Sequence, residues 1–436
     1  MLNSKAKHLI KKLLTGIFFF AAYSLIINNF YLMSRDMIYG DFSGESVSPK
    51  PFPGFFRIAG RTNTIEHNAI NRLALDYAQV YFPSQEFSSL TQNYETGYLD
   101  PLKRPSRYAP FIHYVCSISF CKFDYGYASF LHMLTQMLLF YFFFIVAFKM
   151  LKIESDVWLG LLLVNLFLFT TPAGLGWFER GQFSLYVALS YMLLILGILK
   201  NKPVFIIASA LFAYVKWTSF PYLFVVLIIY MLGSKNKKEG AQSIQLTLIY
   251  ALIILFLSLS FRSKFIHFIE GLYAQELYIQ AEGISMAQLL PISIVKGIPF
   301  ILILIGYLYL QRNGKNFTHL IPYLIGSGIL LLTYPTIAFE YTIPNLFCFI
   351  PLIFYWTKQP NITSKIIRYS FFCFILLISF PNYLNSFASK NNILAGYLVV
   401  SIIFLLFPLL YHGEFSNNAS NSYEETITTN SSAIDI

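Results

Sequence analysis

Leu73–Phe82, LALDYAQVYF, and Tyr98–Pro110, YLDPLKRPSRYAP, lie inside Ser34–Arg107, the one long stretch before the tail that a lipid bilayer would not accept. The insert gathers carboxylates, arginines and tyrosines between a first apolar run and a long series of others. As a polar excursion from a membrane-embedded chain, it sets how the sequence on either side is read.

The chain has 436 residues, 56% of them hydrophobic and only 12% charged, with a mean hydropathy of +0.58. Soluble domains carry about 25% charged residues. Apolar runs of about 18 to 22 residues recur from end to end, long enough to cross a bilayer as helices. The expected fold is an all-α polytopic membrane protein with about twelve spans, the first near Leu13–Met33 and the last near Ile393–Leu410. Lys5, Lys7, Lys11 and Lys12 precede that first run as in a signal sequence. The run is long and no small-residue cleavage site follows it, so it reads as an uncleaved span. Pro203–Leu232 reads as a pair of spans or as one long kinked helix.

The net charge of +10 comes from 31 basic and 21 acidic residues. Much of the basic surplus sits in alternate short loops: Lys149/Lys152, Lys200/Lys202, Lys235/Lys237/Lys238, Arg312/Lys315 and Lys358/Lys365/Arg368. Positive charge on the cytoplasmic side explains this pattern without a nucleic-acid partner. Both termini are then cytoplasmic, and the insert, residues 34–122 with its interfacial helices, is the first extracytoplasmic loop. The tail, 417–436, is rich in Ser, Thr and Asn and is expected to be disordered. Cys116, Cys121, Cys348 and Cys373 have no CxxC spacing, so neither a metal site nor a disulfide framework is implied. Cys116 and Cys121 can pair only if that segment is non-helical and faces an oxidising compartment.

Within the insert, Ile70, Leu73, Ala74, Tyr77, Val80 and Tyr81 recur at helical spacing over Glu66–Phe82. This predicts an amphipathic helix lying at the interface, with Asp76 on the border of its apolar side. A second surface helix is expected from about Arg107 to Cys121.

Ionisable groups at span ends are costly unless paired or lining a wet cavity, which makes them candidate functional residues. A carboxyl beside apolar neighbours, such as Asp76, suits a general base; its ordinary alternative is a pair with Arg72 at i−4. Asp41 and Asp100 sit in turn or capping contexts. Arg104 and Arg107 bracket Pro105 beside Tyr108, ahead of a helix start, where arginine forks suit phosphate oxygens or lipid headgroups. Glu179, Arg180 and Gln182 precede a span in WFERGQFSLY. Lys216, beside Trp217 and shortly before Pro221, either snorkels or meets a phosphate. Glu340 and Tyr341 fall in an outer turn. No HExxH-like spacing marks a metal site.

Together these residues resemble the GT-C superfamily of multi-pass glycosyltransferases, most closely glycosyltransferase family 87. The resemblance rests on Asp76 after the first span, Tyr81-Phe82, Tyr98, Tyr108-Ala109-Pro110, Gly181-Gln182 opening a span, and Lys216 with Pro221. It holds in order and rough spacing over about the first 225 residues, and beyond them only in hydropathy and Glu340-Tyr341. It implies an inverting transferase domain over 1–416, moving a sugar from a polyprenyl-phosphate donor to a glycan or glycolipid acceptor. Asp76 would be the base. Tyr81, Arg104, Arg107, Tyr108, Glu179, Arg180, Gln182, Lys216, Glu340 and Tyr341 would line the substrate site, without a metal or cofactor. The expected place is a bacterial inner membrane with the site on the periplasmic side. The alternatives are an O-antigen-type polysaccharide polymerase, favoured by two outer loops of comparable weight, and a lipid-linked glycan flippase or transporter, favoured by pseudo-symmetric halves.

Overall fold

In the computed structural model of the chain, the described residues are 4–40, 73–85, 87, 100–101, 106–234, 237–276, 282–283, 285–312, 320–335, 337–338, 340–358, 369, 371–373 and 397–405. Helix α1 (Ser4–Tyr39) leads into the insert, which contributes α2 (Leu75–Gln85) and α3 (Pro110–Ile118). The chain continues through α4 (Tyr125–Met150), α5 (Val157–Thr170), α6 (Pro172–Arg180), α7 (Ser184–Leu199), α8 (Pro203–Val215) and α9 (Phe220–Leu232). Then come α10 (Lys237–Leu259), α11 (Arg262–Glu276), α12 (Ile292–Arg312), α13 (Ile321–Leu332) and α14 (Ile350–Trp356). Apart from one parallel pairing of two-residue strands, Glu282–Gly283 with Ile337–Ala338, the described residues are all-α.

Among the described residues, four helices are long and apolar enough to cross a membrane: Lys12–Tyr39, Tyr125–Met150, Lys237–Leu259 and Ile292–Gln311. A fifth crossing is possible if Glu154–Thr170 and Ala173–Arg180, bent by 71°, form one broken span. Five shorter apolar helices accompany them among the described residues. Among the described residues, the spans read from hydropathy thus appear as a few full-length helices and several short ones. At 1.5 Å per residue, α8 and α9 with 13 residues each extend about 20 Å, short of a ~30 Å hydrocarbon core. The Pro203–Leu232 stretch is two helices: the backbone is extended at Lys216 (φ −141°, ψ 108°), and a 3-10 turn, Trp217–Ser219, precedes α9. Most of the expected spans Ile366–Phe380 and Ile393–Leu410, and all of the tail, fall outside the described residues.

The core centres on α7, whose residues from Ser184 to Ile198 are all buried. A helix apolar all round is stable only when other elements enclose it; here α4, α8 and α9 pack around it, with the 3-10 run Glu340–Phe349. At the start of α4, a Cβ on Gly126 would lie 2.5 Å from the Ile38 carbonyl oxygen. The missing side chain lets α1 and α4 approach backbone to backbone.

The insert differs from expectation in three ways. Helix α2 starts at Leu75, and every residue from Leu75 to Val80 is buried, Asp76 included. An interfacial helix keeps one face in water; α2 is instead wedged against the helix bundle. Helix α3 starts at Pro110, where proline's fixed φ suits the first helical turn. It ends at Ile118, and after Ser119 (φ −127°, ψ −107°) a 3-10 turn, Phe120–Lys122, follows. That break overturns the unpaired reading of the cysteines. In an unbroken helix Cys116 and Cys121 would stand roughly 8 to 9 Å apart, beyond disulfide reach. Here their Cα atoms are 5.1 Å apart and the sulfurs are bonded.

Candidate functional site

The site begins with how α6 ends. Thr171 Oγ1 accepts from the Gly174 amide at 3.2 Å and Pro172 follows it, a start that fixes where α6 begins. At the other end Gly181 is left-handed (φ 65°, ψ 40°). Its amide donates to Phe178 O at 3.0 Å, and the Gln182 amide donates to Trp177 O at 3.1 Å. This is the Schellman arrangement, and it throws Gln182 sideways out of the helix path.

The insert docks on that helix end. Ala74 is itself left-handed (φ 67°). Its amide donates to Glu179 O at 2.7 Å, satisfying one of the carbonyls a helix terminus leaves open. The Tyr125 hydroxyl donates to Ala74 O at 2.6 Å. A Cβ on Gly181 would sit 2.8 Å from Ala74 Cβ and 3.0 Å from Tyr77 Cβ, so glycine meets both the dihedral and the contact.

This docking brings together groups from three distant parts of the chain. Arg180 Nε and Nη2 each donate to the Asp76 carboxylate at 3.3 Å. Gln182 Nε2 donates to Asp76 Oδ2, and Gln182 Oε1 accepts from Lys216 Nζ at 2.7 Å. Lys216 also lies within electrostatic range of both Asp76 and Arg107. Gln182 is therefore a bridge between a carboxylate and an ammonium, with a guanidinium on the carboxylate's other flank. Asp76 and Gln182 are buried, at 7% and 3% exposure. An adjacent guanidinium favours the ionised form of a carboxyl, the form that accepts a proton. Among the described residues Arg180 pairs with Asp76; the Arg72 that the sequence offered lies outside them.

The other candidates fall in graded positions. Tyr108 is buried against Phe183, the residue after Gln182, with ring centroids 4.4 Å apart. Tyr81 donates its hydroxyl to Phe123 O at 2.9 Å, and burial with the Asp124 charge raises its pKa. Glu179 contributes its backbone carbonyl to Ala74. Glu340 and Tyr341 open the 3-10 run that lies along α6 and α7, and only their backbone is described. Asp100 is buried beside the turn at Pro101. Asp41, Tyr98 and Arg104 fall outside the described residues. Among the described residues no three His, Cys, Asp or Glu side chains are placed to hold a metal ion.

Sequence reasoning missed the supports. His132 stacks on Tyr77 at 4.6 Å and reaches the Gly181 backbone. Gln136, one turn on, donates to Gln182 O at 2.8 Å. On the far side of α2, the His113 ring lies 3.2 Å from Ser84 Oγ and 3.0 Å from Ser106 Oγ. Burial lowers the His113 pKa to about 4. A polar pair four residues apart in the apolar α4 was the available signal for His132 and Gln136. Comparison with family models, characterised proteins and solved structures finds no match to this chain.

Proposed function

We propose that the protein is an integral-membrane inverting glycosyltransferase that uses a polyprenyl-phosphate sugar and a glycan or glycolipid acceptor. What supports this most is one convergence. Asp76 from the insert, Arg180 and Gln182 from the end of α6, and Lys216 from the break between α8 and α9 form one hydrogen-bonded set. A base and fixed cations in a poorly hydrated site are what this transfer needs, and such cations act most strongly where charge develops.

Asp76 takes the proton from an acceptor hydroxyl as that oxygen bonds to the anomeric carbon. The bond from the anomeric carbon to the phosphate oxygen breaks on the opposite face, and the electron pair leaves with polyprenyl phosphate. Lys216, with Arg107 and in this reading Arg104, receives the charge gathering on the phosphate. Arg180 orients the Asp76 carboxyl, and Gln182 keeps base and ammonium in register. The site belongs to the extracytoplasmic face of a bacterial inner membrane, with both termini cytoplasmic; the Cys116–Cys121 disulfide fits an oxidising compartment.

The test is to incubate purified protein with polyprenyl-phosphate sugars and an acceptor pool and to measure released polyprenyl phosphate. Release by the native chain is expected, with at least a thousandfold loss in Asp76→Asn at unchanged melting temperature; a base supplies about 10² to 10⁴ in rate. Full turnover by Asp76→Asn would move the base to Asp41 or Asp100. Movement of an intact lipid-linked glycan without release would favour the flippase reading.

A further inference from the structure

We infer that Gln136, inside the membrane-embedded α4, is a positioning residue for the Asp76–Gln182–Lys216 set. This rests on the transferase reading for its kinetic part and on the fold alone for its structural part. Gln136 is completely buried and lies near the middle of a 26-residue helix otherwise dominated by apolar side chains. A primary amide there is costly, and its Oε1 meets no hydrogen-bond partner. Leucine or methionine would fill the same volume without that cost.

What the amide supplies is a donor. Its Nε2 donates to the backbone carbonyl of Gln182 at 2.8 Å and touches His132 Nε2 at 3.3 Å. Gln182 sits between the end of α6 and the start of α7, in a segment that is not helical. Backbone turns fix its amide, through Trp177 O; Gln136 fixes its carbonyl. With the peptide groups on both sides of its Cα tied, the Gln182 side chain is aimed so that one end of its amide meets Asp76 and the other meets Lys216. Freeing the carbonyl lets the Gln182–Phe183 peptide group rotate, and the bridge between base and ammonium loses its register. The effect belongs to the rate of the chemical step, because Gln136 itself faces protein and not substrate.

The test uses two variants of the full-length protein. Gln136→Met keeps the volume and removes the donor. Gln136→Glu keeps the shape and donates only while its carboxyl is protonated, which burial favours. In the transfer assay Gln136→Met should lower kcat by about tenfold or more, as loss of one buried hydrogen bond predicts, with KM changed less than twofold. Gln136→Glu should recover as pH falls, a pH response the native chain lacks. Hydrogen exchange over Trp177–Tyr186 needs no substrate and should be faster in Gln136→Met by a similar factor. Native exchange over that segment in Gln136→Met, or a Gln136→Glu profile parallel to that of the native chain, overturns the assignment. If the native chain turns over no donor, the transferase reading fails, and exchange alone decides the positioning claim. Should Gln136→Met fail to fold, the pH response of exchange in Gln136→Glu decides it instead.

Discussion

Gln182 is the side chain through which Asp76 and Lys216 communicate, which makes it more sensitive than either neighbour to a change of shape. Gln182→Met fills the same space but unites neither group, so kcat should fall on the order of a hundredfold, about 2.7 kcal/mol in the barrier. Steady-state kinetics with the donor lipid check this; a native kcat refutes the bridge. Gly181 is constrained twice, by a left-handed dihedral and by the approach of Ala74. Gly181→Ala should therefore destabilise by more than the roughly 1 kcal/mol of the dihedral alone, read as a lower melting temperature together with lost turnover. His113 makes a prediction in pH. Its value in the fold is about 4, against an ordinary 6.5. Between those values the unfolded chain binds a proton that the fold refuses, so stability is complete above about pH 6.5 and declines as pH drops toward 4. The loss amounts to roughly 3 kcal/mol. Melting temperatures across that range should show the decline, and His113→Gln should flatten it. Of these residues, Asp76, Arg180, Gln182 and Lys216 were all legible in the sequence, since each is a polar group at the margin of an apolar run. Their pairing was not: Arg180 and Gln182 stand 104 and 106 residues from Asp76, and no local pattern encodes such a contact.

Helices α2 and α3 are joined through His113, and the disulfide ties α3 to the 3-10 turn that follows it. The Tyr77 hydroxyl lies 3.1 Å from Cys116 Sγ, so the cross-link bears on the residue next to Asp76. Cys116→Ser with Cys121→Ser should lower stability by about 2 kcal/mol, the value for so short a loop, and a reductant should do the same to the native chain. A thermal shift without effect from either would show the bond to be idle. The sequence located α3 to within a turn at each end, and α2 at its carboxyl end, with Glu66–Arg72 of the expected helix outside the described residues; it misread their setting. The alternation in LALDYAQVYF looks interfacial because Asp76 and Gln79 are polar; the partners that allow Asp76 to be buried come from elsewhere. The disulfide was hidden for a related reason. Nothing in SISFCK announces the break at Ser119 that draws the two sulfurs together.

At the scale of the molecule, apolar character pointed to the membrane, and four of the described helices are long and apolar enough to cross it; loop charge gives the expectation of a layout with alternating basic loops. Hydropathy could not tell a full crossing from a short buried helix, because α7 and its neighbours are as apolar as any span. The layout predicts that a reporter active only outside the cytoplasm works when fused after residue 122, whereas one fused after Lys235 does not; the reverse pattern would invert the chain in the membrane. Helix α2 has its resting place on the end of α6, through Ala74 and Glu179. Ribosomes add about 5 to 20 residues each second, so α2 emerges some 5 to 20 seconds before the 104 residues leading to Arg180 are made. For that interval the nascent insert has no seat, and Asp76 has neither its guanidinium nor its amide. A protease on the insert's side of the membrane would meet the segment in that unseated form, so slower synthesis is expected to lower yield.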